Sequence, residues 1–284
     1  MDTPSASVIG LVHPGEMGAA VGRCLTTAGH QVLWASSGRS PETTARAAAA
    51  GLTDVATVQR MAAEAAVILS ICPPHAALDV ARSVRGFGGI YLDANAISPG
   101  TAREVAEVIT GAGGAYVDGG IIGPPPLTHG STRLYLSGEN ARTVQQLFAG
   151  TALEPRIAAG SPTAASAVKM AYAAWTKGTS ALLLAARALA QAEGVEAELL
   201  AEWDVSQPRL ADQSIRSARS AVTKGWRWVG EMREIALSMA AAGLPDGFHQ
   251  AAAEIFARSP QLSGALASEE TAAAVLAALS QQAS

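Results

Sequence analysis

The sequence predicts a doubly wound, mainly parallel α/β domain over residues 1–160 and an all-α domain over residues 161–284, joined by one long helix. Three observations predict it. Short apolar runs alternate with helix-forming stretches through the first half, the pattern of a parallel sheet covered on both faces. After Gly160-Ser161-Pro162 that alternation stops; from Thr163 to Glu193 there is no proline and one glycine, Gly178, with apolar residues at helical spacing. The first apolar run, residues 7–12, ends in a tight turn that opens directly into a helix.

In chain order, strands are expected at 7–12, 31–34, 67–71, 90–93, 115–117, 133–136 and 153–157. Helices are expected between them at 17–28, 41–50, 58–65, 75–84, 99–110 and 139–148, several of them rich in alanine, the best helix former. The Gly-Pro-Pro-Pro run at 123–126 predicts a rigid loop. Beyond it come the long helix at 163–193, with a soft point near Gly178, and helices at 196–205, 208–222, 226–242, 247–258 and 268–279. Four of the five tryptophans, Trp175, Trp203, Trp226 and Trp228, fall in this half, as packing anchors or as walls of a pocket or dimer interface.

Composition narrows the class. The chain is 284 residues long, 49% hydrophobic and 15% charged, so it is globular and long enough for two cores. A net charge of −4 argues against a nucleic-acid surface. Cys24 and Cys72 sit in no CxxC or metal-ligand spacing, so reduced structural thiols, no metal and a cytoplasmic location are expected. No basic segment followed by an apolar run marks a signal peptide, and the apolar stretch at 180–190 is short and carries Arg187, so no membrane span is expected.

The chemistry starts at the first turn, His13-Pro14-Gly15-Glu16-Met17-Gly18. A glycine at 15 lets a ligand approach the backbone, and one at 18 lets helix and strand pack closely. The helix N-terminus then aims N–H groups and a positive dipole end at the turn. This is the Rossmann arrangement for a dinucleotide pyrophosphate, with His13, Pro14, Gly15, Glu16 and Met17 as cofactor-binding candidates. The second strand ends in Ser36-Ser37-Gly38-Arg39, with no acid for a ribose diol. Hydroxyls and a guanidinium there suit a 2′-phosphate, so NADP(H) is expected over NAD(H).

Three further strand ends face the same crevice. Cys72-Pro73 follows the strand at 67–71, with proline fitting a first helical turn. Asn95 offers an amide donor and acceptor to cofactor or substrate, and Ser98 a helix cap. Asp118-Gly119-Gly120-Ile121-Ile122-Gly123-Pro124 reads as a loop whose backbone N–H groups are free for an anionic substrate, with Ile122, Gly123 and Pro124 as substrate-side candidates. On the long helix, Lys169, Tyr172 and Thr176 share a face at spacings of three and seven, with Trp175 beside them. Hydride transfer to a carbonyl builds negative charge on oxygen, which the Lys169 ammonium stabilises or protonates. Arg227 suits an anionic substrate group or an ion pair with Glu231 one turn on, and Glu231 is a further substrate-side candidate.

These segments, I-G-L-V-H-P-G-E-M-G, D-A-N-A-I-S-P, D-G-G-I-I-G-P and V-K-M in a long helix, resemble the β-hydroxyacid dehydrogenase and 6-phosphogluconate dehydrogenase superfamily over nearly the whole chain. G-R-S and K-M-A-Y-A-A-W-T-K-G are similar to its phosphogluconate-dehydrogenase-like branch of unassigned substrate. The resemblance implies an NAD(P)-dependent oxidoreductase, a homodimer with interlocked C-terminal helices, and Lys169 as the catalytic lysine. There are departures. His13 replaces the first fingerprint glycine, Asn95-Ala96 stand for Ser-Thr, and Ile122 replaces a substrate-binding serine. Tyr172-Ala173 stand where an asparagine is expected, and Thr176 stands for the glutamate of true phosphogluconate enzymes. These argue against decarboxylating phosphogluconate activity and leave Tyr172 as the polar or proton-donating partner. The leading expectation is an NADPH-dependent oxidoreductase acting between a small carbonyl and its hydroxy compound. An imine reductase and a non-catalytic NADPH-binding sensor are the alternatives.

Overall fold

The computed structural model describes residues 6–261 and 268–280. Eight strands form one sheet: β1 (Val8–Leu11), β2 (Gln31–Trp34), β3 (Thr53–Asp54), β4 (Val67–Ser70), β5 (Ile90–Asp93), β6 (Ala115–Ile122), β7 (Thr132–Ser137) and β8 (Leu153–Ile157). Their order is β3-β2-β1-β4-β5-β6-β7-β8, and every pairing is parallel except β6 with β7. The direction of winding reverses between β1 and β4, which creates a crevice at the carboxyl ends of these strands. Between the strands lie α1 (Glu16–Thr27), α2 (Pro41–Ala49), α3 (Val58–Glu64), α4 (Ala77–Ser83), α5 (Pro99–Thr110) and α6 (Ala141–Leu147).

Alternation along each strand sends neighbours to opposite faces. Ile9, Leu11, Val32, Trp34, Leu69 and Leu92 face one buried cluster with α1, while Leu33, Ile68 and Tyr91 face the other with α3, α4 and α5. Helix ends follow the local chemistry. Ser40, Thr57 and Ser98 each accept a first-turn N–H with the side-chain oxygen, and Pro41 and Pro99 take the first helical position, where no N–H is needed.

The helices that follow are α7 (Ala164–Ala192), α8 (Glu196–Ser206), α9 (Leu210–Ala241), α10 (Gly247–Arg258) and α11 (Ser268–Ser280). The chain divides into two compact units, residues 1–170 and 171–284, the division falling within α7. In the second unit α9 turns a row of small and apolar residues inward, among them Ser217, Ala218, Ala221, Gly225, Met232 and Ile235, against α10 and α11. Among the described residues no helix is long and apolar enough to cross a membrane.

Three expectations are corrected. The segment 118–122, expected as a loop, is the second half of β6, paired with β7 from Asp118↔Ser137 to Ile122↔Arg133. Its backbone is committed to an antiparallel ladder rather than held open for an anion. The glycines serve packing: a Cβ at Gly119 would lie 2.8 Å from the Asp93 carbonyl oxygen, and one at Gly120 2.7 Å from that of Ala165. The helices expected at 208–222 and 226–242 are one continuous α9. Gly225 between them is buried against Phe256, and tertiary packing offsets the roughly 1 kcal/mol that a mid-helix glycine costs. The helix expected from 75 starts as a 3-10 turn, Pro74–Ala76, before α4.

Candidate functional site

The β1–α1 turn is shaped by what its glycines exclude. A Cβ at Gly18 would fall 2.2 Å from the His13 carbonyl oxygen, so no side chain fits where α1 crosses the turn. A Cβ at Gly15 would meet nothing within 4 Å, so the space above it is open. Gly15 is the N-cap of α1 and provides no side-chain cap, leaving the helix end to an external acceptor. Pro14 is buried and Met17 half-buried, while Glu16 is exposed. His13 stands at the edge of the turn, its Nδ1 buried without a hydrogen-bond partner. Burial, and then the Arg39 charge, lower its pKa to about 4, so the imidazole is neutral at physiological pH. An open cradle, an uncapped helix end and an orphaned ring nitrogen fit a dinucleotide pyrophosphate.

At the end of β2 the turn 36–39 is closed by Arg39 N–H donating to the Ser36 carbonyl at 3.0 Å, with Gly38 at φ +73°. Sequence reading found no acid here, yet the structure brings one in. Asp54, at the end of the two-residue β3, accepts from the N–H groups of Ser36 (3.2 Å) and Ala56 (2.8 Å) through Oδ1. The second bond holds Ala56 at φ +65°, and Ser37 N–H donates to the Ala56 carbonyl at 2.9 Å. Asp54 therefore shapes the turn. Arg39 reaches back to the Val12 carbonyl at 3.5 Å, and its Nε is buried without a partner.

The ends of β4 and β5 are latched together by Asn95, which is 2% exposed. Its Oδ1 accepts the Cys72 N–H at 2.6 Å, its Nδ2 donates to Ser70 Oγ at 3.0 Å, and its own N–H donates to Asp93 Oδ1 at 3.0 Å. Asn95 thereby fixes two loops as one wall, using one Nδ2 hydrogen and one Oδ1 lone pair. Asp93 Oδ2 is buried without a partner, and burial, aided by the Asp118 charge, raises this carboxyl to about 7. Cys72 is half-buried and its thiol is raised to about 12, chiefly by burial, which removes it as a nucleophile; Pro73 beside it leads into the 3-10 turn.

Asp118 anchors the helix that carries the lysine. Its Oδ2 accepts from Ser166 N–H at 2.8 Å and Ser137 Oγ at 3.0 Å, and its Oδ1 from Ser166 Oγ at 2.5 Å. Burial raises its pKa against these bonds. The start of α7 is thereby clamped to β6, and one turn on Lys169 Nζ donates to the Ile121 carbonyl at 2.8 Å. An ammonium carries three donors, so a substrate oxygen can take another. Ile122 is buried rather than offered to a substrate. Gly123 and Pro124 are exposed in the link to β7; Gly123 has φ +130°, and the Pro124 carbonyl accepts from Thr132 Oγ1.

The remaining candidates lie in the second unit. Tyr172 and Trp175 are exposed, and Thr176 Oγ1 donates to the Tyr172 carbonyl at 3.1 Å. The Arg227 guanidinium lies 5.5 Å from the Trp226 ring. Glu231 is ion-paired with Lys177; Lys177 also lies 5.5 Å from the Trp228 ring, which meets Phe256 edge-on. Among the described residues no cluster of His, Cys, Asp and Glu could hold a metal ion. Asp54, Asp118, Ser137 and Ser166 were missed as site-building residues, although Asp118 stands inside a segment the sequence singled out.

Comparison with known proteins now bears on this site. Residues 6–151 match the family described as the NAD binding domain of 6-phosphogluconate dehydrogenase, and residues 190–259 match a domain of unknown function, DUF1932. No curated protein matches the sequence. Among solved structures, the chain is 27% identical to the conserved protein MTH1747, described as similar in structure to 3-hydroxyacid dehydrogenases. That match covers 94% of this chain and 99% of the other, with a TM-score of 0.66. The 3-hydroxyisobutyrate dehydrogenase of Mycobacterium tuberculosis, solved with L-serine, is 19% identical over 95% and 98% of the two chains, with a TM-score of 0.68. An imine reductase from Pseudomonas sp. shares the fold at 18% identity over 97% and 100%, with a TM-score of 0.53. With a family match over half its length, on a turn whose helix end lies open, the chain belongs to the 6-phosphogluconate dehydrogenase NAD-binding family and is an NAD(P)-dependent oxidoreductase.

Proposed function

We propose that the protein is an NADPH-dependent reductase of a small carbonyl compound, or the reverse oxidant of the hydroxy compound. One observation carries the reading: Lys169 is held by Ile121 at the carboxyl edge of the sheet, where the β1–α1 turn also opens. NADPH, when bound, supplies a hydride. The α1 N-terminus, Gly15 and the neutral His13 receive the pyrophosphate; the Asn95 latch fixes the wall formed by the β4 and β5 loops. Lys169 points an N–H at the carbonyl oxygen, stabilises the charge that develops there, and delivers a proton to the alkoxide. In the oxidative direction the same amine takes the hydroxyl proton.

The Arg39 guanidinium and the Ser36 and Ser37 hydroxyls support NADPH over NADH. Arg39→Ala is expected to weaken NADPH binding by about 1–3 kcal/mol, the range for a lost charge-assisted hydrogen bond, and to leave NADH nearly unchanged. Fluorescence titration with each cofactor checks this; equal losses would remove the phosphate role.

The exposed residues Tyr172, Trp175, Leu182 and Leu189 recur on α7 at spacings of three, seven and seven, an apolar stripe along one face. A second copy of the chain covers this stripe in our reading. Sedimentation equilibrium should return twice the chain mass, and Leu182→Glu should shift it toward the monomer. A wild-type monomer would refute the dimer.

An imine reductase is the second reading. Tyr172 favours it, an exposed phenol one turn beyond Lys169 that can donate a proton to a reduced nitrogen.

A further inference from the structure

We propose that Arg46 is a second specificity-determining residue of the nucleotide site, its guanidinium meeting the 2′-phosphate of NADPH together with Arg39; this rests on the NADPH reading above. Arg46 lies in the last turn of α2, the helix that begins directly after the 36–39 turn. Its Nη2 donates to Thr43 Oγ1 at 3.0 Å, and Thr43 Oγ1 lies 3.3 Å from Ser40 Oγ, the residue next to Arg39. Its Nε donates to the Pro14 carbonyl at 3.4 Å. A row of hydroxyls and one guanidinium thus runs from the end of the ribose turn to the pyrophosphate turn.

The two arginines are placed alike. Arg39 sits on the Val12 carbonyl at 3.5 Å and Arg46 on that of Pro14, on either side of His13. Both contacts are longer than the roughly 2.7–2.9 Å of a charge-assisted bond. Both acceptors are neutral, and among the described residues neither arginine forms an ion pair. Among the described residues no carboxylate comes within ion-pair distance of either: Glu42, one turn from Arg46, is fully exposed and interacts with it only through space, and Asp54 Oδ1 accepts from two backbone N–H groups. Two weakly engaged guanidinium forks with the Arg39 Nε still unpartnered suit a dianion, which accepts from both and neutralises both. A cofactor lacking the 2′-phosphate gives Arg46 nothing to bind in place of its carbonyl.

The competing role is a structural pin between α2 and the β1–α1 turn. The pin predicts equal losses for every nucleotide, whereas the phosphate role predicts a loss confined to 2′-phosphorylated ones. The test is calorimetric titration of the wild type, Arg46→Ala, Arg46→Gln and Arg46→Lys with adenosine 2′,5′-bisphosphate, adenosine 5′-monophosphate, NADPH and NADH, with melting curves to confirm folding. We expect Arg46→Ala and Arg46→Gln to bind the bisphosphate and NADPH about tenfold or more weakly, the effect of losing a charged hydrogen bond, and the other two ligands within about twofold. Arg46→Lys should recover part of the loss. Equal weakening of all four ligands, or no change in any, would overturn the proposal while leaving Arg39 and the NADPH reading intact. A wild type that binds the bisphosphate no better than the monophosphate would instead overturn the NADPH reading itself.

Discussion

Lys169→Ala is expected to lower kcat by about 10²–10⁴-fold, the usual worth of a positioned proton donor and charge stabiliser, with NADPH affinity kept. The separation of the two effects follows from placement. In the proposed reading the β1–α1 turn receives the pyrophosphate and the 36–39 turn, held by Asp54 and Arg39, the ribose; Lys169 touches neither turn in the hydrogen-bond network. What the alanine removes is the ammonium over the Ile121 carbonyl. Gly120 stays compatible, because its close neighbour is the Lys169 Cβ, which alanine retains. Steady-state turnover with a parallel NADPH titration checks the split. Intact turnover would remove Lys169 from the mechanism; equal loss of binding and turnover would make it a structural residue.

The second large effect falls on stability. Asp118→Ala strips two donors of their acceptor at once, Ser166 N–H and Ser166 Oγ, in a place with no solvent to replace it, while Ser137 Oγ keeps the Pro162 carbonyl at 3.0 Å. Each buried group left unpaired costs about 1–3 kcal/mol, and relaxation recovers some of that, so a loss of about 2–4 kcal/mol is expected. Asp118→Asn keeps an acceptor and the shape, and should lose less. Because Asp118 clamps the start of α7, the surviving folded fraction of the alanine variant should also turn over more slowly than its cofactor occupancy predicts. Urea unfolding of both variants measures the first effect. A loss below about 1 kcal/mol, the size of a surface change, would show that α7 is held by apolar packing alone.

How much of this was legible in the sequence depends on whether the signal is local. The first turn was legible because Gly18 is demanded by a contact within a few residues, the clash of a Cβ there with the His13 carbonyl, while Gly15 three residues earlier leaves the space above the turn open. The sheet was legible because parallel strands buried on both faces read as apolar runs. The long helix followed from a stretch with no proline. What failed was non-local. Gly119-Gly120 reads as a turn, and only the approach of Asp93 and Ala165 from distant segments shows that it is strand. The break expected between 222 and 226 does not occur, and Gly225 within it is buried against Phe256. Asp54 had no pattern around it, since β3 is two residues long. The latch that Asn95 makes between the β4 and β5 loops was not legible either, since its partners Ser70 and Cys72 lie more than twenty residues away. The ion pair of Glu231 with Lys177 joins two helices, a partner that spacing within one helix does not name.

The most direct test of the central claim is NADPH consumption by the wild-type protein against two substrate pools, one of aldehydes and keto acids, the other of cyclic imines. Turnover with the carbonyl pool, lost in Lys169→Ala, is the predicted result. Turnover with imines alone, surviving in Lys169→Ala and lost in Tyr172→Phe, would contradict it and move the proton donor to Tyr172; tight NADPH binding with neither pool consumed would contradict both and leave a nucleotide sensor.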